Sequence, residues 1–181
     1  MAQAAGEDFF AVDAAHMLAI SQPPAEQTVW NLRAIAAAEQ SAQPRARHWL
    51  GSLYNNLGWT LHDQGDFAQA LDLFQRALRF RETQGKSAEI LVARWCVARC
   101  LRSLGRTEEA LVEQQSLAVA HAAAGTQDGY VEEELGESLL LLGRPADARP
   151  HFAQAHALLS QDPWLMESEP ARLERLKQLS Q

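Results

Sequence analysis

Apolar residues recur three and four positions apart over nearly the whole chain, and no stretch alternates strictly between apolar and polar. That is the period of helices with one buried stripe, not of strands. Ala, Leu, Gln, Glu and Arg dominate these stretches, and all are good helix formers. Short breaks separate them: Ser21-Gln22-Pro23-Pro24, Gln43-Pro44, Gln64-Gly65-Asp66, Gln84-Gly85, Leu104-Gly105, residues 125–129 and Gly143-Arg144-Pro145. Glycine suits the left-handed residue that ends a helix. Proline suits a first helical turn, where its missing N–H costs nothing.

The helical pattern itself repeats. Gly65, Gly105 and Gly143 are spaced 40 and 38 residues apart, and Ala70, Ala110 and Ala148 follow each by five. Small residues Gly58, Ala98 and Gly136 precede each glycine by seven, flanked by Leu57, Val97 and Leu135 on one side and Leu61, Leu101 and Leu139 on the other. Three registers recurring together describe a hairpin of two helices. A small residue on each helix lets the backbones approach, and the flanking Leu and Val fill the seam. One hairpin cannot bury its own stripe, so successive hairpins stack.

The stretch Tyr54-Asn55-Asn56-Leu57-Gly58-Trp59-Thr60-Leu61, with Gln64-Gly65-Asp66-Phe67-Ala68-Gln69-Ala70 and Phe74-Gln75-Arg76-Ala77-Leu78, closely resembles the tetratricopeptide repeat. The next hairpin is looser, with Arg94, Thr107 and Gln114 where that family shows two aromatics and Phe. The one after recovers Leu135-Gly136, Gly143, Ala148, Phe152 and Ala155, with Pro145 at an aromatic place. The period exceeds the usual 34 residues, which resembles the longer variant in bacterial regulators and light-chain-like adaptors. The resemblance implies an all-α, right-handed α-α superhelix of about four helical hairpins plus a C-terminal capping helix, forming a single domain over 1–181. Its parts would be a degenerate or capping hairpin at 8–42, repeats at 48–83, 88–121 and 128–160, and a polar capping helix at 163–180. In the first hairpin Phe9, Phe10, Ala14, Met17 and Leu18 gather on one side.

Composition narrows the function. The net charge of −7 disfavours binding to nucleic acid. No run approaches 18 apolar residues, so no membrane span is expected. No Lys or Arg precedes Arg33, and Glu7, Asp8 and Asp13 interrupt the first segment, so no secretory leader is expected either. Cys96 and Cys100 sit four apart on a helix, too far for an unstrained bridge, which fits reduced thiols in a cytoplasmic protein.

Catalytic and metal chemistry find no support in the motifs. The glycines stand singly as helix stops, with no phosphate-binding loop and no nucleophile elbow. The two cysteines lack a second pair of ligands, and His151 and His156, five apart, do not converge. Glu132-Glu133-Glu134 reads as a solvated helix start. No catalytic residue, metal or cofactor is therefore expected, and the chain is read as a non-enzyme.

The resemblance implies instead a concave groove lined by the first helices, holding a protein or peptide partner. Its residues would be Asn55, Trp59 and His62, then Trp95, Arg99 and Arg102, then Glu133, Glu137 and Leu140, with Ser52, Val92 and Tyr130 one turn earlier. The aromatics are rigid anchors of the kind found at hot spots, and the arginines could fork onto a carboxylate. Two alternatives stand beside that reading: Trp59 and Trp95 pack between hairpins, and Arg99 and Arg102 pair with Glu133 and Glu137. The carboxylate clamp of chaperone-binding relatives is not expected, because Asn55, Trp59, Cys96, Tyr130 and Glu134 occupy its places. Other roles compatible with the sequence are a sensor module responding to a peptide or small ligand, and a self-associating homo-oligomer.

Overall fold

A computed structural model describes residues 7–181. Among these the chain forms eleven α-helices and no strand. In order they are α1 (Asp8–Ser21), α2 (Pro24–Gln40), α3 (Pro44–Arg47), α4 (Leu50–Asp63), α5 (Phe67–Gln84), α6 (Ser87–Ser103), α7 (Thr107–Ala123), α8 (Gly129–Leu141), α9 (Pro145–Leu159), α10 (Pro163–Ser168) and α11 (Pro170–Leu179). They group into two compact units, the first running to Cys100 and the second from Leu101, so the division falls inside α6.

In the first unit α1 pairs with α2 and α4 with α5, and α2 packs on α4. Val12, Ala34, Ala38, Leu50, Leu53, Leu57 and Ala77 form one continuous core. The small residue of the repeat does what its register implies. A Cβ added at Gly58 would lie 2.6 Å from Cε1 of Phe74, so the Phe74 ring is seated directly on the glycine backbone. The second unit repeats the device between α8 and α9, where a Cβ at Gly136 would meet the Phe152 ring at 2.8 Å. Here α7 packs on α8, and α11 on α9. Each ring is fully buried, a burial that contributes about 2–3 kcal/mol.

Helix ends follow the break residues. Gly65, Gly85, Gly105, Gly125 and Gly143 all adopt positive φ, between 69° and 83°, the left-handed conformation that a side chain would strain. At helix starts, Asp66 accepts from the Gln69 N–H at 3.2 Å and Asp128 from the Tyr130 N–H at 2.8 Å. The residues that lengthen the repeat extend helices. α5 runs on to Gln84 and α7 to Ala123, so the stretches near 80–84 and 119–123 are second-helix turns.

Four expectations are corrected. The break at Gln43-Pro44 contains the short helix α3. The single end helix expected over 163–180 is two, α10 and α11, because Pro170 cannot continue a helix and Glu169 leaves helical geometry at φ −131°, ψ 46°. The apolar side expected for α1 is not its buried side. Val12, Ala15, His16 and Ala19 face the core, while Phe10 and Met17 are 58% and 57% exposed. Small Ala15 and Ala19 allow close contact that the bulkier side chains do not. Finally, Glu133 and Glu134 are buried rather than solvated.

Candidate partner-binding cleft

The first helices of the repeats, α4 and α6, meet in the first unit over an open cleft of about 290 Å³. α4 contributes Gly51, Ser52, Asn55 and Asn56 to its wall, and α6 contributes Ala88, Glu89, Val92 and Ala93. Of the groove positions read from the register, Ser52, Asn55 and Val92 lie here. Val92 is 59% exposed and supplies the apolar surface. Ser52, Asn55 and Asn56 supply a hydroxyl and two amides, which can donate to and accept from a peptide backbone.

The cleft floor comes partly from a residue the register did not point to. Arg81, at the end of second helix α5, reaches across α4. Its Nη2 donates to Ser52 Oγ at 3.0 Å and its Nη1 pairs with Glu89, which also takes a 2.9 Å bond from Lys86 Nζ. Gly51 makes this reach possible, since a Cβ there would lie 2.6 Å from Arg81 Nε. The Lys86 hydrogen bond, and then the Arg81 and Lys86 charges, hold the Glu89 carboxyl below its ordinary value.

The aromatic positions do something else. Trp59 stacks edge-on against Phe74 at 5.0 Å and His62 at 5.1 Å, and its ring is 5.9 Å from Trp95. His62 in turn meets Phe67 at 4.9 Å. This is the packing alternative: a half-buried aromatic ladder beside the Gly58–Phe74 contact. Arg99 is half-buried on the same helix as Trp95. The cysteines are free, buried and polar-bonded, Cys96 to Asn55 Oδ1 at 3.2 Å and Cys100 to the Phe67 carbonyl at 3.3 Å. Burial pushes the Cys96 thiol up to about 12 and the Cys100 thiol to about 11, so both stay protonated and unreactive at neutral pH.

In the second unit the matching positions are already engaged. Arg172 of α11 forks onto Glu133, with Nη2 2.5 Å from Oε2, and its guanidinium lies 5.2 Å from the Tyr130 ring centre. Arg175 of α11 pairs with Glu137. Arg102 forks onto Glu134 at 2.7 and 2.9 Å. The pairing expected between Arg102 and Glu133 or Glu137 is thus replaced by one with Glu134, because α11 holds the other two. Leu140 is half-buried. Among the described residues no cluster of side chains could hold a metal ion, and no helix is long and apolar enough to cross a membrane.

Consecutive helical hairpins with a small residue seated under a second-helix ring define a helical-repeat protein. Two family models described as tetratricopeptide repeat match residues 50–83 and 133–154. The chain thus carries tetratricopeptide repeats over these two stretches. No curated protein sequence matches it. Among solved structures it is similar to nearly identical TPR-like repeats of a kinesin-light-chain-type protein from Podosopora anserina, with 14% identity, 93% of this chain and 84% of that one covered, and a TM-score of 0.64. A second structure of those repeats gives 12% identity, coverage of 93% and 90%, and a TM-score of 0.62. At these identities the likeness is one of fold. Tetratricopeptide repeats are generally protein-interaction scaffolds without catalysis of their own.

Proposed function

We propose that the chain is a non-enzymatic scaffold that holds a protein or peptide partner in the α4–α6 cleft of its first unit, acting in the cytoplasm. The observation that carries this reading is the exposed Val92 set among Ser52, Asn55 and Asn56. An extended segment laid along the cleft places one apolar side chain on Val92 and Ala88 and offers its backbone amides to the two asparagines. Of the residues lining the cleft, Arg81 and Glu89 pair with one another, which favours a segment of low charge. Trp59 and Trp95 support the cleft from within the packing, and Arg102, Tyr130, Glu133 and Glu137 hold the second unit together.

The test is capture from native lysate on the wild-type chain and on Asn55→Ala/Val92→Arg, both checked for unchanged helical circular dichroism. A protein retained by wild type and lost by the variant supports the cleft. Equal retention contradicts it. Trp59→Ala is unsuited to this purpose, because removing a ring stacked on Phe74 disturbs the core itself.

A further inference from the structure

A second concavity of the first unit lies between α2, α4 and α5 and shares no residue with the α4–α6 cleft. It measures about 410 Å³ and is lined by Glu39, Arg47, Leu50, Tyr54, Arg76, Arg79, Phe80 and Thr83. In a chain of net charge −7 it gathers three arginines against one carboxylate.

The charges are not equivalent. Arg76 is fixed: its Nη2 bonds Glu39 Oε1 at 2.5 Å and the Tyr54 hydroxyl oxygen at 3.1 Å, and its guanidinium lies 4.3 Å from the Tyr54 ring centre. Tyr54, only 6% exposed, donates its own proton to Glu39 at 2.6 Å. Glu39 is thereby consumed within the wall. Arg47 and Arg79 are exposed, and neither has a carboxylate partner among the described residues. Two guanidiniums thus remain without a carboxylate partner among the described residues over a hydrogen-bonded floor, with the half-buried Phe80 ring beside them.

We infer that this concavity binds a phosphomonoester carried on a small organic molecule. Two unpaired guanidinium forks match a group carrying close to two negative charges and three acceptor oxygens, whereas a single carboxylate would leave one arginine unanswered. The volume falls within the range of small-molecule sites, and Phe80 and Leu50 offer an apolar wall to the organic part. The inference does not rest on the partner cleft, because no lining residue is common to the two.

Phenyl phosphate is the probe, titrated calorimetrically against the full chain, with inorganic phosphate and benzoate in parallel. Phenyl phosphate is expected to bind with Kd on the order of 1 mM or below, and to weaken as salt rises. Inorganic phosphate binding as tightly would assign the site to the free ion and overturn the organic part of the inference. Benzoate, with one charge, is expected to bind at least about tenfold more weakly. Arg47→Glu and Arg79→Glu, at exposed side chains with no ion-pair partner among the described residues, leave the fold intact by circular dichroism and are each expected to raise Kd by about tenfold or more. No heat with phenyl phosphate, equal binding of benzoate, or unchanged affinity in both variants would each overturn the assignment.

Discussion

The same repeat positions have opposite fates in the two units. In the first, Ser52, Asn55 and Val92 line an open cleft. In the second, the matching Tyr130 and Glu133 are engaged by Arg172 of the chain's own helix α11, which also holds Glu137 through Arg175. The repeat register therefore identifies which residues a first helix can offer, while occupancy depends on what chain comes next. An acidic first helix followed by a helix bearing two arginines on one side closes on itself. A first helix carrying neutral amides, followed by one carrying Val92, does not.

The strongest way to probe that difference is to show first that the two units share one packing device. Phe74→Ala and Phe152→Ala each empty the seat on a glycine backbone and should cost about 3–5 kcal/mol in urea denaturation. A large cost in one and a negligible cost in the other would mean the hairpins are not built alike.

Next come the ion pairs that close the second unit. Arg102→Ala leaves the Glu134 side chain, 5% exposed, without its forked partner, and should cost about 3 kcal/mol. Arg172→Ala strips most of the bonds from Glu133 and should cost about 2 kcal/mol. Arg81→Ala in the first unit faces a Glu89 that is 32% exposed and still bonded to Lys86, and should cost less than either. Denaturant midpoints that reverse this order would show that α11 does not close the second unit through these charges.

A smaller effect, of opposite sign, is expected at Gln114. It occupies the register of Phe74 and Phe152 on α7, is fully buried, and has no hydrogen-bond partner for either amide atom among the described residues. Gln114→Leu removes that unmet polarity and should raise stability by about 1–2 kcal/mol, read from the thermal midpoint. Smallest of all, Val92→Arg changes an exposed side chain and should shift stability by no more than about 0.5 kcal/mol.

The helix stops, the paired small residues and the two seated phenylalanines were all legible in the sequence, because each is fixed by spacing within one hairpin. The partners of Glu133 and Glu134 were not, since the register sets Arg99 and Arg102 against Glu133 and Glu137 instead. Their partners Arg172 and Arg102 lie 39 and 32 residues away, and helical spacing says nothing about pairs at that separation. Arg81 was missed for a related reason, since it enters the cleft from a second helix, over a glycine whose importance shows only once Arg81 lies on it. The face of α1 was misread because that helix is apolar nearly all round, and small Ala15 and Ala19 won the buried side over Phe10 and Met17. Trp59 and Trp95 were correctly placed on first helices, but spacing alone could not tell a solvent-facing anchor from a ring stacked on Phe74.

Partners are expected to bind the first unit's cleft and not the matching face of the second. A photo-crosslinking residue placed at position 92, and separately at position 137, tests it most directly in native lysate. A crosslinked partner is expected from position 92, abolished by adding Asn55→Ala, and none from position 137. A partner trapped at 137 and absent at 92 would contradict it.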